Sequence, residues 1–544
     1  MENLIILLIL IPFLASFISL LGKYFLSKQQ VQVIVVGALC TCLILLAFIF
    51  PPVFKGSTIS YSVGGWREPI GICLYIDGLA WISSLIGLLI TLLAFLFAMG
   101  EEKYEYKFYF FFLILLGGMQ GVILTGDLFN MFVFFEILSI ASYILIAYPQ
   151  KEKSIIASFN YLLISSLGIG FYLLGIALLY QQTGILSLRE ISHLKTQIEK
   201  NSPLFSLSLI SLIAGIGVKA AFIPFHTWLP DAHAFAPHPV SATLSGVMIK
   251  VSFLAVWRIL DFIPFLTLQI LFMWIGVFTA FLGIIWAIAQ DDTKKLLAYS
   301  SISQMGFIIA SFGVATSVSL VASLYHILNH SLFKSLLFLT IGTAIYTTGK
   351  REINKISIHG EKMFLVKISF LVGALSICGI APFNGYVSKR LIFFSFKRYP
   401  ILYYLIFAAN VGTVASFIKL SQIFRRGEKK VNKKIIPKKM LAPLIILSLL
   451  CLFTGIFPVT GTEVLSRLLL KERISFNLQI YSLSGLGQSI FIFSLGLFLY
   501  FLITSSKGEK VLKFIRNIRC GLNNALLLFI AGFLFFTLFL WIFG

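Results

Sequence analysis

The sequence predicts an all-α polytopic membrane protein, with about 14 core transmembrane helices and about 2 more toward the C-terminal end. Within that core it predicts two inverted five-helix repeats, each holding one broken helix. Three observations carry this expectation. Of 544 residues, 59% are hydrophobic and 12% charged, against about 25% charged in a soluble chain. Apolar runs of roughly 20 residues, the length that crosses a bilayer, recur along the whole chain. Two of these runs are interrupted by a Pro-Phe pair with a lysine close by, and interrupted helices at corresponding positions point to an internal repeat.

Taken in order, the spans are expected to start near Leu4, Val31, Leu74, Phe108, Leu128, Ile155, Phe205, Val240, Phe265, Leu296, Val318, Phe364, Ile401, Leu441, Gln488 and Leu522. Met1 to Leu21 is apolar, without a basic leader or a small-residue cleavage site, so it reads as a retained first helix rather than a signal peptide. The Gly/Ser/Thr-rich stretch Gly56 to Gly71 is expected to form a small hairpin. Gln181 to Ser202 is a polar, amphipathic connection, and Val459 to Gly485 separates the fourteenth span from the last two. The expected division is therefore 1–107 for spans one to three and 108–262 for the first repeat, spans four to eight. Residues 263–425 would hold the second repeat, spans nine to thirteen, and 426–544 the last three spans.

The formal net charge is +22. Its placement in short loops, with no soluble segment long enough to form a binding module, excludes a nucleic-acid partner. The loops after odd-numbered spans carry roughly twice the Lys and Arg of the opposite loops, which puts them inside and the N-terminus outside a cell membrane. Runs such as Lys350 to Lys362, Arg425 to Lys439 and Lys507 to Arg519 make up much of that bias. The six cysteines, Cys40, Cys42, Cys73, Cys378, Cys451 and Cys520, show neither C-x-x-C pairs nor metal-ligand spacing, and read as small hydrophobes. With no glycine-rich dinucleotide fingerprint and no P-loop, neither cofactor binding nor ATP hydrolysis is expected of this chain.

The stretch Gly217 to Lys250, GVKAAFIPFHTWLPDAHAFAPHPVSATLSGVMIK, organises the rest. Lys219 sits inside an apolar run, four prolines follow, and a second apolar run carries Lys250. Proline removes a helix N–H and clashes with the preceding turn, so one continuous helix is not expected here. Charged side chains at membrane depth are costly and mark ion pathways. Span twelve breaks in the same manner at Gly379 to Gly385, with Lys389 just beyond. Five spans separate the two breaks, and an odd number implies opposite orientation.

Further ionisable groups lie inside spans. Glu136 is more than two turns into span five, where an unpaired carboxylate would be desolvated and Lys219 is the natural partner. A salt bridge that only fixes packing is the plain alternative, but one acid against four amines leaves a surplus that static pairing does not explain. In span eleven, His326, His330 and Lys334 fall four residues apart and so share one helix face. Such a stripe should face the bundle interior or a hydrated cavity, where histidine can relay protons. A metal or haem site lacks a second ligand set, and a satisfied core histidine is the simpler rival for either ring. Desolvated lysines titrate near working pH, so Glu136, Lys219, Lys250, His326, His330, Lys334 and Lys389 together, with water between them, would form a proton wire. His226, Asp231 and His233 are candidate half-channel lining, and packing of the helix break fits them equally well.

Three blocks carry a resemblance: TGDLFNMFVFFEILSIASY, the Lys219–Lys250 stretch, and YHILNHSLFKSLLFL followed by APFNGYVSK. The chain resembles the antiporter-like subunits shared by Mrp-type sodium/proton antiporters, membrane-bound hydrogenases and respiratory complex I, over roughly Leu74 to Arg425. By that resemblance Glu136 matches the acid of helix five, Lys219 and Lys250 the lysines of helices seven and eight. His330 and Lys334 match the polar stripe of helix eleven and Lys389 the terminal lysine of helix twelve. The FVFFE and APFNGYVSK blocks look most like the Mrp D-type and hydrogenase-type branch, although two extra spans after Val459 depart from its fourteen-helix pattern. The resemblance implies a proton-translocating subunit of a larger ion-pumping complex, whose partners are other membrane subunits, lipid, and protons with or without sodium. The alternative is a proton-pumping subunit of a complex I-like oxidoreductase whose redox chemistry sits on other chains. A third reading, a scaffold with degenerate ion chemistry, predicts that Glu136→Gln is silent. Gln181 to Ser202 and Val459 to Gly485 are candidate docking segments for neighbours.

Overall fold

A computed structural model describes residues 2–193, 202–262, 266–356, 363–424, 435–472, 479–518 and 521–543. The expected start of span nine at Phe265, Cys520, and parts of the basic runs and of both candidate docking segments lie outside the described residues. The chain is helical almost throughout, as a bilayer demands, because a helix satisfies its own backbone hydrogen bonds where no water can. The first six long helices are α1 (Asn3–Phe25), α2 (Lys28–Phe54), α3 (Gly78–Ala98), α4 (Tyr106–Leu124), α5 (Leu128–Ala147) and α6 (Glu152–Thr183). A short α7 (Leu188–His193) precedes α8 (Pro203–Ala220), α9 (Leu229–Phe235), α10 (His238–Thr243) and α11 (Ile249–Phe262). Next come α12 (Leu266–Ala289), α13 (Thr293–Val314), α14 (Ser317–Thr348), α15 (Phe364–Cys378), α16 (Asn384–Ser395) and α17 (Pro400–Leu420). The chain closes with α18 (Lys438–Ile456), α19 (Pro458–Leu470), α20 (Leu483–Thr504), α21 (Ser506–Asn517) and α22 (Leu522–Phe543).

Among the described residues, 15 helical stretches are long and apolar enough to cross a membrane. The expected twelfth span is the pair α15 and α16, each too short to cross alone. Helix starts follow side-chain caps, since an acceptor at the first turn satisfies an otherwise orphaned N–H. Asp127 accepts from Asn130 N at 2.7 Å, and Asp292 from Lys294 N and Lys295 N at 2.9 and 3.0 Å. The expected hairpin exists, but its strands are β1 (Ile59–Ser62) and β2 (Cys73–Ile76), antiparallel with Ile59 opposite Ile76. Leu74 therefore lies on a strand, and span three starts four residues later than expected, where Asp77 caps α3 through Ala80 N at 2.9 Å.

Both interrupted spans end the same way. α8 stops at Ala220 with Ala221 left-handed (φ 55°), and α15 stops at Cys378 with Gly379 left-handed (φ 76°). Carbonyls freed at a break must find donors when they are buried at membrane depth. At the first break, Trp228 Nε1 donates to Val218 O at 2.7 Å. At the second, Lys389 Nζ donates to Ile377 O at 2.5 Å and Ser489 Oγ to Gly379 O at 3.1 Å. The last two spans thus each lie against one break. α20 supplies Ser489 to the second, and α22 packs Phe529 and Phe536 on Phe225 at the first, with ring centroids 5.1 and 5.8 Å apart. Between them, α21 lies along the end of α12, where Arg516 Nε donates to Ala289 O at 2.7 Å.

Candidate functional site

α8 is buried on nearly every side, and Lys219 near its end is fully enclosed. Its amine takes two hydroxyls, Ser139 Oγ of α5 and Ser165 Oγ of α6, the latter at 2.7 Å. It also sits 5.8 Å from the centre of the Phe135 ring. No salt bridge within 4.0 Å joins it to Glu136, the expected partner, although that carboxylate acts on the amine through space. The reason is register, because Ser139, one turn beyond Glu136 on α5, occupies the position facing the amine. Glu136 is only half-buried and falls in helical step with the exposed Phe129, Val133, Ile140 and Ile144.

Lys250 is buried at the start of α11, just after a π-helical turn at Leu244–Met248. Such turns widen the helix and free backbone groups, and they recur at functional sites. The Lys250 amine donates to Ser245 O within that turn. Ser245 Oγ in turn shares a hydrogen bond of 2.8 Å with Ser301 Oγ of α13. The preceding residue, Ser300, accepts from Lys334 Nζ at 2.5 Å, and Leu297 O accepts from the same amine at 2.9 Å. Ser300 thus serves Lys334 directly, while Ser301 holds Ser245, the residue whose carbonyl takes Lys250.

From Lys334 the expected stripe on α14 holds. Lys334, His330 and His326 are all fully buried, and the two imidazoles lie nearly parallel with centroids 6.1 Å apart. Among the described residues neither ring nitrogen of His330 has a partner, whereas His326 has two. His326 Nε2 donates to Gln304 Oε1 at 3.2 Å, so in the neutral ring Nδ1 accepts from Ser388 Oγ at 2.9 Å. Ser388 immediately precedes Lys389, whose amine donates to Ile377 O and to Asn410 Oδ1, both at 2.5 Å. The row from Lys250 through Lys334 and the histidines to Lys389 therefore runs across α11, α13, α14 and α16. No hydrogen bond joins it to the Lys219 cluster among the described residues.

The three residues proposed beside the first break separate. His226 is buried and stacked on Trp286, with centroids 5.1 Å apart and planes 18° from parallel. Asp231 is part-exposed and pairs with Lys295 Nζ at 2.6 Å. His233 is fully buried against Phe338, with both ring nitrogens free of protein partners. Close by, the buried Lys294 Nζ donates to Ala236 O at 2.6 Å. Sequence reasoning missed Lys294, Ser139, Ser165, Ser245, Ser300, Ser301, Gln304, Ser388 and Asn410. For α13 a signal existed, the polar cluster SSISQ at 300–304 inside an apolar run. Among the described residues no three His, Cys, Asp or Glu side chains converge as a metal site would require.

Comparison with known proteins places this geometry among relatives. The family described as NADH:quinone oxidoreductase/Mrp antiporter, TM, matches residues 125–418. The N-type subunit of the NADH-quinone oxidoreductase of Desulforudis audaxviator is 38% identical over 62% of this chain and 68% of its own length. The D-type subunit of the Na(+)/H(+) antiporter of Alkalihalophilus pseudofirmus is 30% identical over 84% of this chain and 94% of its own length. Among solved structures, a chain of the archaeal membrane-bound sulfane sulfur reductase, a respiratory membrane complex, is 28% identical with a TM-score of 0.79. The match covers 90% of this chain and 99% of that one. A chain of the Mrp complex from a Dietzia species shares the fold at a TM-score of 0.77 and 22% identity, over 89% and 99% of the two chains.

Proposed function

The chain belongs to the NADH:quinone oxidoreductase/Mrp antiporter transmembrane family, and from that premise we propose that it is a proton-translocating, antiporter-like subunit of a multisubunit ion-pumping membrane complex. The observation that carries the proposal is the buried row in which Lys334 bonds Ser300, Ser301 bonds the Ser245 hydroxyl, the Ser245 carbonyl takes Lys250, and His326 and Ser388 lead on to Lys389. Unpaired amines inside a membrane are costly and persist where they carry ions. Two ammonium groups in one dry row repel, so loading one favours release from the next. His330, buried between Lys334 and His326 without a protein partner, is the relay between them. Lys219, on its two serine hydroxyls, is the input member, and Asp231, His233 and Lys294 line the approach beside the first break. His226, stacked on Trp286, packs that break.

The two broken spans support an organisation as inverted repeats, spans four to eight and nine to thirteen, each presenting a lysine at its break. The distribution of Lys and Arg supports an N-terminus outside the cell membrane. Glu136, half-buried on an otherwise apolar exposed face of α5, is placed where a neighbouring subunit covers it, since a carboxylate facing lipid is strongly disfavoured. The cargo is protons, with sodium added in the antiporter assembly. Lys219→Ala tests this reading: proton flux in vesicles is abolished while the complex still assembles. Wild-type flux in that variant would overturn the proposal.

A second reading is favoured by the relative from the NADH-quinone oxidoreductase, its N-type subunit, 38% identical to this chain. In it the same proton path is driven by redox chemistry on other subunits. The subunits that co-purify with the native chain decide between the two: iron–sulfur proteins for the oxidoreductase, small membrane subunits alone for the antiporter.

A further inference from the structure

We infer that α20 forms part of the transport path: its Gln488 and Ser489, with Arg390 of α16, make the outlet through which Lys389 exchanges protons with the membrane face that carries the N-terminus. The inference rests on Lys389 being a proton carrier, as proposed above, and adds where its proton goes.

α20 lies beyond the matched family region, 125–418, and most of its surface is that of a lipid-facing helix, with Ile490, Phe491, Phe498 and Phe501 all exposed. Gln488 and Ser489 point the other way, toward the second break, while Ser484 and Ser494 stay exposed. A cavity there is lined by Lys389 and Arg390 of α16, Asn410 of α17, and Gln488 and Ser489 of α20. Ser489 completes the break itself by donating to Gly379 O at 3.1 Å. Arg390, one residue beyond Lys389, donates to Gln488 Oε1 at 2.8 Å and to Ser482 Oγ at 3.4 Å. Gln488 Nε2 passes the string on to Tyr403 OH at 2.9 Å.

Direction follows from helix ends. Ser482 is the N-cap of α20, and Tyr403 lies in the first turn of α17. Both mark the end of the bundle where α16 finishes, which by counting spans is the face of the N-terminus. The polar string therefore runs from Arg390 and Gln488, which share the cavity with Lys389, to that surface. Among the described residues no carboxylate pairs with Arg390 within 4.0 Å. A guanidinium held by an amide and a hydroxyl is a fixed positive charge on the cavity wall, which repels a hydrated metal cation at the outlet. α20 is then a working wall of the path rather than an added anchor.

The test uses the assembled complex in vesicles of defined sidedness. Gln488→Cys and, as a control on the lipid face of the same helix, Phe498→Cys are exposed to a charged, membrane-impermeant thiol reagent from each side. The expected result is that Gln488→Cys, its flux already below wild type, reacts only from the face of the N-terminus and loses the remaining flux on reaction, while Phe498→Cys keeps wild-type flux and does not react. Arg390→Gln should lose most of its flux and Arg390→Lys should keep it, a rescue that a purely structural contact would not show. Failure of Gln488→Cys to react from that face, or reaction without loss of flux, overturns the inference. Lys389→Ala separates the two levels: persisting flux sinks the proton-carrier reading, whereas lost flux beside an inert Gln488→Cys sinks the outlet alone.

Discussion

The imidazole of His326 and the hydroxyl of Ser388 lie 2.9 Å apart, and this bond ties the polar stripe of α14 to the broken span one residue before Lys389. Among the described residues it is the side-chain hydrogen bond that carries the row from the histidines into α16. Removing the hydroxyl leaves His326 Nδ1 buried without its partner, at a cost of about 1–3 kcal/mol. Ser388→Ala should therefore lower proton flux by about fivefold to a hundredfold, since 1.4 kcal/mol is tenfold in an equilibrium, with assembly intact. Ser388→Thr, which keeps the hydroxyl, should retain flux. A pH-sensitive dye in sealed vesicles reads the difference, and equal rates in the Ala and Thr variants would remove the bond from the path.

The second break is closed by contact between backbones. A Cβ on Gly385 would sit 1.8 Å from Ser376 O, an atom that cannot step aside as a flexible side-chain tip can. Gly385→Ala must push α16 away from α15, at about 1–3 kcal/mol for overpacking. The expected outcome is a lower thermal midpoint of the purified complex, together with lost flux. Gly487→Ala on α20, where a Cβ meets nothing within 4 Å, is the control that should leave the midpoint unchanged.

Away from the row, Arg258 and Asp77 pin α11 to the start of α3 through a double hydrogen bond, at 2.5 and 2.9 Å. Burial opposes the charge on Asp77, but the Arg258 guanidinium and the cap on Ala80 N overcome it and hold its carboxyl below the usual range. A carboxyl depressed by folding stabilises above its unfolded pKa, and that contribution is lost as pH falls through the folded value. Arg258→Met strands the carboxylate and should cost about 3 kcal/mol at neutral pH. The loss should shrink on acidification, and Asp77→Asn, which keeps a capping oxygen, should recover part of it. Thermal midpoints of the wild type, both single variants and the double variant at neutral and acidic pH measure this. A pH-independent loss would mean that Arg258 acts by packing alone.

What could be read from the sequence follows from what a bilayer requires. Span count was legible because length and apolarity are imposed by the membrane, and the breaks were legible because Pro224 and Pro382 stand inside apolar runs. The start of α3 was not, since Leu74 is as apolar on a strand as in a helix. The amines and imidazoles stood out as charge in apolar surroundings. Their serine partners did not, because most serines in such helices simply bond their own preceding turn, as Ser331 does to Ile327 O and Ser252 to Met248 O. Nothing in the run 300–304 says that Ser300 faces Lys334 and Ser301 faces Ser245; that depends on how the π-helical turn and α14 pack on α13. The role of Gln488 and Ser489 is hidden for the same reason.

Glu136 carries the last prediction. Its carboxylate acts on Lys219 through space without a salt bridge, and it shares a stripe with Phe129, Val133, Ile140 and Ile144, all exposed at 37–53%. An apolar face with a single carboxylate near its middle suits a protein neighbour that offers a donor, not lipid. Val133→Cys, one turn before Glu136, should therefore cross-link to another subunit of the native complex under a short bifunctional reagent, while Phe498→Cys on the lipid face of α20 should not. Glu136→Gln removes the charge and keeps the shape, so it should lower flux in the assembled complex. Silent Glu136→Gln together with absent cross-linking would return this face to the lipid, and a scaffold without working ion chemistry would then regain ground.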